Sequence, residues 1–278
     1  MFVAQSAAFL PAARITFARE PLQSQNLGVQ LYTVRSIIDK DPAKVLGAIQ
    51  EIGYTEVECT YDNLKPIWSA LKQTSLHPVS VHVGGLESAD KLNTALSDIK
   101  QRGFQYVVVP YLDTVKGGVE GLKRIADSLN NMGEKASAQG LTLCYHNHAH
   151  DFSPLGETPA LEMLLSQTNS SYVQLEMDVF WVTEAGLDPV KLLQKYNGRV
   201  PLVHLKDRSK NLTKTQYSEN VPHNAFASVG SGSIDFPAVL SAAAAAGVRH
   251  YFVEQDFTPG DPIAALRQSY TYLKTQFK

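Results

Sequence analysis

The sequence has little cysteine, no long hydrophobic run and almost no net charge, and each absence excludes a class of protein. Its 278 residues include only two cysteines, Cys59 and Cys144, too few for a disulfide framework. Pro11 and Arg14 interrupt the apolar N-terminal segment, and no other stretch is long and apolar enough to span a bilayer. Lys and Arg number 25 against 27 Asp and Glu, so no electrostatic footprint for nucleic acid or an anionic membrane is expected.

The segment 1–26 is interpreted as a leader that precedes the folded domain. Its first 18 residues are small and apolar, but they lack the basic start of a secretory signal. Two interpretations stay open, the remnant of an export signal and a leader without fixed structure. The expected location is the cytoplasm, or the periplasm or exterior if the segment is an export signal.

From residue 27 onward the sequence repeats a short apolar run, a turn and an amphipathic stretch. Strands are predicted over residues 27–33, 55–60, 77–83, 105–111, 141–152, 171–178, 200–207 and 250–256. Helices are predicted over residues 42–52, 64–74, 88–102, 119–139, 158–167, 188–196, 235–246 and 261–277. This alternation predicts an α/β protein, a parallel (β/α)₈ TIM barrel formed by one domain over residues 27–278. A doubly wound open sheet is the alternative, but no glycine-rich phosphate loop follows any strand.

The stretch LTLCYHNHAHDF, residues 141–152, ends an apolar strand in three histidines. Alternation along the strand places His146 and His148 on one face, so both imidazoles can point into the same space. A single strand histidine is more often a hydrogen-bonded core residue than a ligand. The pair at the end of an apolar run favours a metal site.

Polar residues also stand at the carboxyl ends of the other predicted strands, where TIM barrels carry their active sites. They are Gln30, Tyr32, Glu58, His82, Asp178, His204, Lys206, Glu254 and Asp256. Buried carboxylates and imidazoles are costly unless they are paired or bound to a metal. Asp178, His204 and Glu254 come from consecutive strands, and His146 would complete a set of four ligands. Such a set suits Mn²⁺, Mg²⁺, Co²⁺ or Zn²⁺, of which Mn²⁺ is preferred.

Six segments carry a resemblance to a known family. They are GVQLYTVR (28–35), YHNHAHDF (145–152), LEMDVFWV (175–182), GRVPLVHLKD (198–207), VGSGSIDF (229–236) and VEQD (253–256). In their order and spacing, the chain resembles the sugar phosphate isomerase/epimerase family with a xylose-isomerase-like barrel, in particular the YHNH-motif subgroup and the inosose dehydratases. The resemblance implies a divalent metal held by His146, Asp178, His204 and Glu254. Epimerases of this superfamily usually have a glutamate where this chain has His146, so a two-glutamate epimerase is disfavoured.

The expected activity is metal-dependent isomerisation or epimerisation of a keto-sugar or related polyol through an enediolate that the ion stabilises. Glu254, His148 and His82 are the candidate bases, because each could stand within hydrogen-bond reach of the acidified carbon. Loss of a β-substituent would instead give dehydratase or lyase chemistry on a keto-cyclitol or a 3-keto-glycoside. The residues do not choose between these outcomes.

Substrate contacts are predicted for Gln30, Tyr32, Trp181 and Lys206. Lys206 could hold a substrate oxygen, or it could form an ion pair with a neighbouring carboxylate, Glu176 or Asp207. Trp181 could offer an aromatic platform to a sugar or pack under a loop. The polar connection 208–232 is long enough to form a lid, with a mobile surface loop as the alternative.

The expected partner is a small sugar or cyclitol without a phosphate group, because no cluster of Arg and Lys stands at the strand ends. A non-catalytic sugar-binding barrel and a DNA-repair endonuclease are the other classes considered. The endonuclease would need more metal ligands and a basic face for phosphates, which the near-neutral charge does not provide. Neither a nucleic acid nor a membrane is expected as a partner, and a homo-oligomer stays open.

Overall fold

Eight parallel strands close into a barrel in the computed structural model, which describes residues 27–84 and 89–276. The strands are β1 Leu27–Gln30, β2 Glu56–Thr60, β3 His77–His82, β4 Tyr106–Val109, β5 Thr142–His146, β6 Val173–Asp178, β7 Leu202–Leu205 and β8 His250–Val253. Each strand pairs with its neighbours in sequence, and β8 closes the ring on β1. The predicted TIM barrel is confirmed and the open sheet is excluded. The leader predicted over residues 1–26 lies outside the described residues.

Helices surround the barrel, and most lie where the sequence predicts them. They are α1 Arg35–Ile38, α2 Pro42–Ile52, α3 Leu64–Leu71, α4 Ala89–Gln101, α5 Gly118–Ala138, α6 Ala160–Gln167, α7 Val179–Glu184, α8 Pro189–Lys195, α9 Phe236–Ala245 and α10 Pro262–Leu273. Four of them begin after an aspartate whose side chain accepts a backbone N–H, and each of the four has a proline at its first or second position. These caps are Asp41, Asp188, Asp235 and Asp261. Within the described ranges, none of these helices has both the length and the apolarity needed to cross a bilayer.

The strand side chains divide between two cores. Alternate residues such as Tyr145 point outward into the large apolar layer between the strands and the helices. The opposite face of the same strand points inward, where Cys144 and Phe252 belong to a small apolar cluster. Above this cluster, toward the carboxyl ends of the strands, the barrel interior becomes polar. Both cysteines are buried free thiols.

The connection after β7 leaves the barrel and returns to it. Asp207–Arg208 pairs antiparallel with Phe226–Ala227, and this small ladder forms the base of the loop 209–225. Arg208 Nε donates to Glu184 Oε2 over 2.5 Å, and the Thr215 N–H donates to Glu184 Oε1 over 2.6 Å. These contacts hold the base of the loop beside the carboxyl end of the barrel.

Candidate active site

Two groups of buried ligand-type side chains lie next to each other inside the carboxyl half of the barrel. The outer group consists of His146, Asp178, His204 and Glu254. The inner group consists of Glu58, His82, Glu176 and His204, so the two groups share one histidine. The four ligands predicted from the sequence are therefore brought together, and the inner group was not predicted as a unit.

The outer group has the spacing of a metal site. His146 Nε2 lies 3.2 Å from His204 Nδ1 and 3.3 Å from Asp178 Oδ2. His204 Nδ1 lies 2.9 Å from Glu254 Oε2 and 3.9 Å from Asp178 Oδ2. A tetrahedral ion with bonds of about 2.1 Å would hold its ligands roughly 3.4 Å apart, so the four atoms fit such an ion. Burial and the neighbouring His204 keep the pKa of His146 well below its usual value, which leaves its imidazole neutral, as a ligand must be.

Asp178 is oriented by the chain around it. Its Oδ1 atom caps α7, because it accepts the N–H of Phe180 over 2.8 Å and that of Trp181 over 3.3 Å. Its backbone N–H donates to the side-chain oxygen of Asn147, whose amide donates back to the Asp178 carbonyl. With Oδ1 held by the helix, Oδ2 is left for the outer group. Asn147 was not predicted as a site residue, although it stands between the two histidines of the YHNH motif.

Lys206 lies buried beside the outer group. Its Nζ atom is 2.9 Å from Glu254 Oε2, 3.0 Å from Asp178 Oδ2 and 3.0 Å from Asp256 Oδ1. Burial alone would lower the pKa of this lysine, but the three carboxylates outweigh burial and raise it well above its usual value. Lys206 is therefore an ammonium ion. The sequence left open a substrate contact and an ion pair for Lys206; the ion pair forms, but with Asp178, Glu254 and Asp256 and not with Glu176 or Asp207.

Lys206 affects the pKa values of the neighbouring carboxylates to different extents. Burial raises the pKa of Glu254, yet Lys206 and His204 reverse this effect and lower that pKa to about 2. Burial raises the pKa of Asp256 to about 6, because Lys206 offsets only part of it and Glu254 adds repulsion. Glu254 is thus fully ionised at neutral pH, as required of a ligand.

The inner group is a hydrogen-bonded cluster centred on Glu58. Its Oε1 atom lies 2.6 Å from His204 Nε2, 2.8 Å from Gln30 Nε2 and 3.1 Å from His82 Nε2. Ser80 donates its hydroxyl to the other carboxylate oxygen. Gln30 was predicted to contact the substrate and His82 to act as a base. Gln30 instead donates to Glu58, and His82 Nε2 lies 2.8 Å from Glu176 Oε2 as well as 3.1 Å from Glu58 Oε1.

A comparison with protein-family models identifies the barrel. Residues 46–276 match the family model described as a xylose isomerase-like TIM barrel. The chain belongs to the xylose isomerase-like TIM barrel family. This match includes the strands that carry every member of both groups.

Three proteins are similar to this chain, one in sequence and two in fold. Inosose dehydratase 1 of Bacillus cereus is 30% identical over 152 residues, which cover 51% of this chain and 50% of the relative. The chain thus spans about half the length of that curated relative. A sugar phosphate isomerase/epimerase from Parabacteroides distasonis aligns with a TM-score of 0.77 and 21% identity, over 97% of this chain and 100% of that one. The IolI protein, solved with a bound zinc atom, aligns with a TM-score of 0.70 and 17% identity, over 91% and 98%. At these identities the two structures show the fold alone.

The mouth of this xylose isomerase-like barrel is lined by rings. The His148 ring lies 4.9 Å from that of His146 and 5.2 Å from that of Trp181. His148 Nδ1 and Trp181 Nε1 are buried without a hydrogen-bond partner in the described part of the chain. Burial and His146 keep the pKa of His148 well below its usual value, so its imidazole is neutral. Tyr32 is 43% exposed under the guanidinium of Arg35.

Trp181 packs under a loop, which is one of the two roles that the sequence left open, and it also borders the site. Its side chain is buried and packs edge-on against Phe180 and Phe226, next to the base of the 209–225 loop. Its other side approaches Lys206, whose Nζ atom is 5.9 Å from the indole centroid. The tryptophan therefore supports the loop and also borders the site.

The loop 209–225 is fastened to the site by Glu219. Its carboxylate pairs with His150 Nδ1, while His150 Nε2 lies 2.7 Å from the carbonyl oxygen of Leu112. Burial lowers the pKa of His150, but the bond to Glu219 and the nearby Asp151 outweigh it and raise that pKa to about 9. The loop contact therefore joins opposite charges at neutral pH.

Replacement of Glu219 by glutamine is expected to loosen this loop. The folded-state pKa of His150 lies above its unfolded value of 6.5, so the pairing contributes fully below about pH 6.5 and is lost as the pH rises through about 9. After correction for the intrinsic, base-catalysed exchange rate at each pH, we expect the protection of amides in residues 209–225 of the wild type to fall over that range. In Glu219→Gln, this protection should be roughly fivefold lower already at neutral pH and nearly independent of pH. Glu157→Gln, at an exposed position, is the control. Unchanged loop exchange in Glu219→Gln would refute the contact.

Proposed function

We propose that the outer group binds one divalent cation and that the protein removes the proton next to the carbonyl of an uncharged keto-sugar or keto-cyclitol. The main support for this proposal is the set of four buried ligand atoms, which are spaced like the ligands of a tetrahedral ion. Two imidazoles and two carboxylates favour a transition ion such as Mn²⁺, Co²⁺ or Zn²⁺ over Mg²⁺. A bound cation would supply stabilisation of the negative charge that develops on the substrate oxygen.

Three side chains take the remaining roles. His148 is neutral, carries an unpartnered ring nitrogen and lies beside the outer group, so it can accept a proton while the four members of that group hold the cation. Lys206 can donate a hydrogen bond to a substrate oxygen, since its ammonium borders both the outer group and Trp181. The indole N–H of Trp181 provides a further donor for a hydroxyl. Glu254 acts in this arrangement as a ligand, and its pKa of about 2 makes it a weak base.

The charges at the strand ends support a substrate without a phosphate group. Lys206 is already shared among three carboxylates, and Arg208 is paired with Glu184. Arg35 donates to the backbone carbonyl of Asp256 over 2.7 Å. A dianionic phosphate would have to displace these internal partners, whereas a neutral hydroxyl needs only one donor such as the unpartnered indole N–H of Trp181.

Dehydration is the second candidate outcome. A two-base epimerase depends on a pair of glutamates. This chain has one of them, Glu254, and has His146 at the position of the other. After the α-proton moves to the base, the β-hydroxyl can take up a proton and leave as water. The α and β carbons then form a double bond conjugated with the carbonyl. The similarity to an inosose dehydratase favours this outcome, and the similarity in fold to an isomerase/epimerase favours return of the proton.

Proton exchange with solvent tests the shared step. The Mn²⁺-loaded protein should catalyse deuterium incorporation from D₂O at the carbon next to the carbonyl of at least one member of a panel of keto-sugars, 3-keto-glycosides and keto-cyclitols. Deuterated isomers would identify an isomerase or epimerase, and an ultraviolet-absorbing enone would identify a dehydratase. The chelator-treated protein is the control. Metal binding without any exchange across the panel would refute the enzymatic proposal and favour a sugar-binding barrel.

A further inference from the structure

The shared histidine, His204, connects the two groups through its two ring nitrogens. Its Nε2 atom lies 2.6 Å from Glu58 Oε1 in the inner group, and its Nδ1 atom lies 2.9 Å from Glu254 Oε2 in the outer group. An imidazole that binds a cation carries a single proton, so one of its nitrogens donates while the other offers its lone pair to the ion. Whatever fixes the proton on one side therefore decides which nitrogen can bind a cation.

Glu58 is itself held rigidly for this contact. Its side chain is fully buried, and both of its carboxylate oxygens have donors, since Gln30 donates to Oε1 over 2.8 Å and Ser80 donates to Oε2. These partners come from β1 and β3, the strands on either side of β2. The carboxylate can thus neither rotate away from His204 nor reach the solvent.

We propose that Glu58 is a positioning residue that keeps the His204 proton on Nε2 and thereby presents the Nδ1 lone pair to the cation of the outer group. This inference rests on the proposed function, because it requires the outer group to bind a cation. Glu58 would not touch the cation or the substrate. Its effect would pass entirely through the orientation and the tautomer of His204.

The inner group is less suited to a second cation of its own. Its contacts of 2.6, 2.8, 3.1 and 3.4 Å each join an imidazole nitrogen to a carboxylate oxygen. The two shortest have the lengths of charge-assisted hydrogen bonds, as does the His204–Glu254 contact of 2.9 Å in the outer group, so length alone does not separate the two groups. Protons can satisfy the nitrogen–oxygen contacts of the inner group, whereas the outer group contains a contact between two imidazole nitrogens that suits a cation.

Two substitutions of Glu58 test the proposal through zinc affinity. Glu58→Leu removes the acceptor and should weaken Zn²⁺ binding about 10–100-fold, the usual effect of losing an outer hydrogen-bond partner of a ligating histidine. Glu58→Gln keeps an acceptor oxygen and should recover most of that loss. Affinities would be measured by competition with a chromophoric chelator, together with the bound zinc per chain.

Glu56 provides a matched control on the same strand. It is buried and accepts from His250 Nδ1 over 2.8 Å, but this pair lies at the amino end of the barrel. Glu56→Leu and Glu56→Gln should therefore leave the Zn²⁺ affinity unchanged, even if Glu56→Leu unfolds more readily. Equal losses of affinity at the two positions would indicate a general effect on folding and overturn the proposal.

Nitrogen NMR of His204 gives a readout that a merely structural role would not change. In the zinc-loaded wild type, Nε2 should carry the proton and Nδ1 should show the shift of a metal-bound nitrogen. Glu58→Leu should broaden or shift the Nε2–H signal, and Glu58→Gln should restore it. Unaltered affinity and unaltered His204 signals in Glu58→Leu would overturn the proposal. Two zinc ions per wild-type chain and one in Glu58→Leu would also overturn it, because Glu58 would then be a ligand itself. A wild type that binds no zinc would instead refute the proposed function.

Discussion

Asp178→Asn is expected to lower the affinity for a divalent cation by more than about 100-fold, since loss of even an indirect partner of a ligand typically costs 10–100-fold. The Asp178 Oδ1 atom accepts two backbone N–H groups at the start of α7. The asparagine oxygen will stay on these donors, because the amide NH₂ cannot accept from them. The NH₂ group must then face the outer group, where it is no ligand. The substitution thus removes one ligand and one negative charge while it preserves the helix cap.

The measurement is metal content after equilibrium dialysis, together with the shift in melting temperature on addition of Mn²⁺ or Zn²⁺. The wild type should melt at a higher temperature with metal, since binding at about 100 times the dissociation constant adds roughly 2.7 kcal/mol, and Asp178→Asn should lose this shift. Asp188→Asn is the matched control, because Asp188 caps α8 in the same way at an exposed position. If Asp178→Asn retained one tightly bound ion per chain, the outer group would not be the metal site.

The barrel could be predicted from the sequence because each unit carries its own local signals. Aspartate caps followed by proline mark the starts of helices such as Pro42–Ile52, whose predicted bounds are those observed. The two short helices α1 and α7 were missed. Val179–Glu184 begins with apolar residues that continue the pattern of β6, and the helix starts where the Phe180 and Trp181 N–H groups donate to Asp178 Oδ1.

Strand ends were predicted too long for a related reason. The first strand stops at Gln30, because the Gln30 side chain accepts the N–H of Tyr32 and starts a short 3₁₀ turn. The seventh stops at Leu205, and Asp207 and Arg208 pair instead with residues 226–227. Such pairing joins residues about 20 positions apart and leaves no periodic signal in the sequence.

Site residues could be predicted where alternation along one strand shows which side chains point inward. Contacts between side chains on opposite sides of the barrel could not be predicted in this way. His146, Asp178 and Glu254 stand at strand ends, and the closed barrel brings strand ends together. The contact between Glu58 and His204 joins residues 146 positions apart on β2 and β7. Nothing in either strand alone indicates that pairing, because it depends on the inward positions of two strands that are not neighbours in the sheet.

Lys206→Met is expected to destabilise the metal-free protein by about 3–5 kcal/mol, the usual effect of removing one partner from a buried ion pair. The Lys206 ammonium lies within 3.0 Å of oxygens of Asp178, Glu254 and Asp256. Methionine fills a similar volume but leaves these carboxylates without their shared cation. A divalent ion in the outer group would neutralise two of the three. We therefore expect metal to stabilise the variant more than it stabilises the wild type.

The pH dependence of the stability of Lys206→Met provides a second test. Without Lys206, the folded-state pKa of Asp256, already about 6, should rise further above its unfolded value. The folded variant then binds more protons than the unfolded chain, so its stability should fall as the pH rises from about 5 to about 8. Urea unfolding in the presence of chelator and of saturating Mn²⁺ at both pH values measures both effects.

Lys195→Met is the control, because Lys195 forms an exposed pair with Glu162 and its loss should change stability by less than about 0.5 kcal/mol. A metal-dependent recovery in Lys206→Met and none in Lys195→Met would show that the lysine and the cation neutralise the same carboxylates. If metal stabilised the wild type and Lys206→Met equally, the ammonium and the ion would act on separate groups. The outer group would then need another source of charge balance.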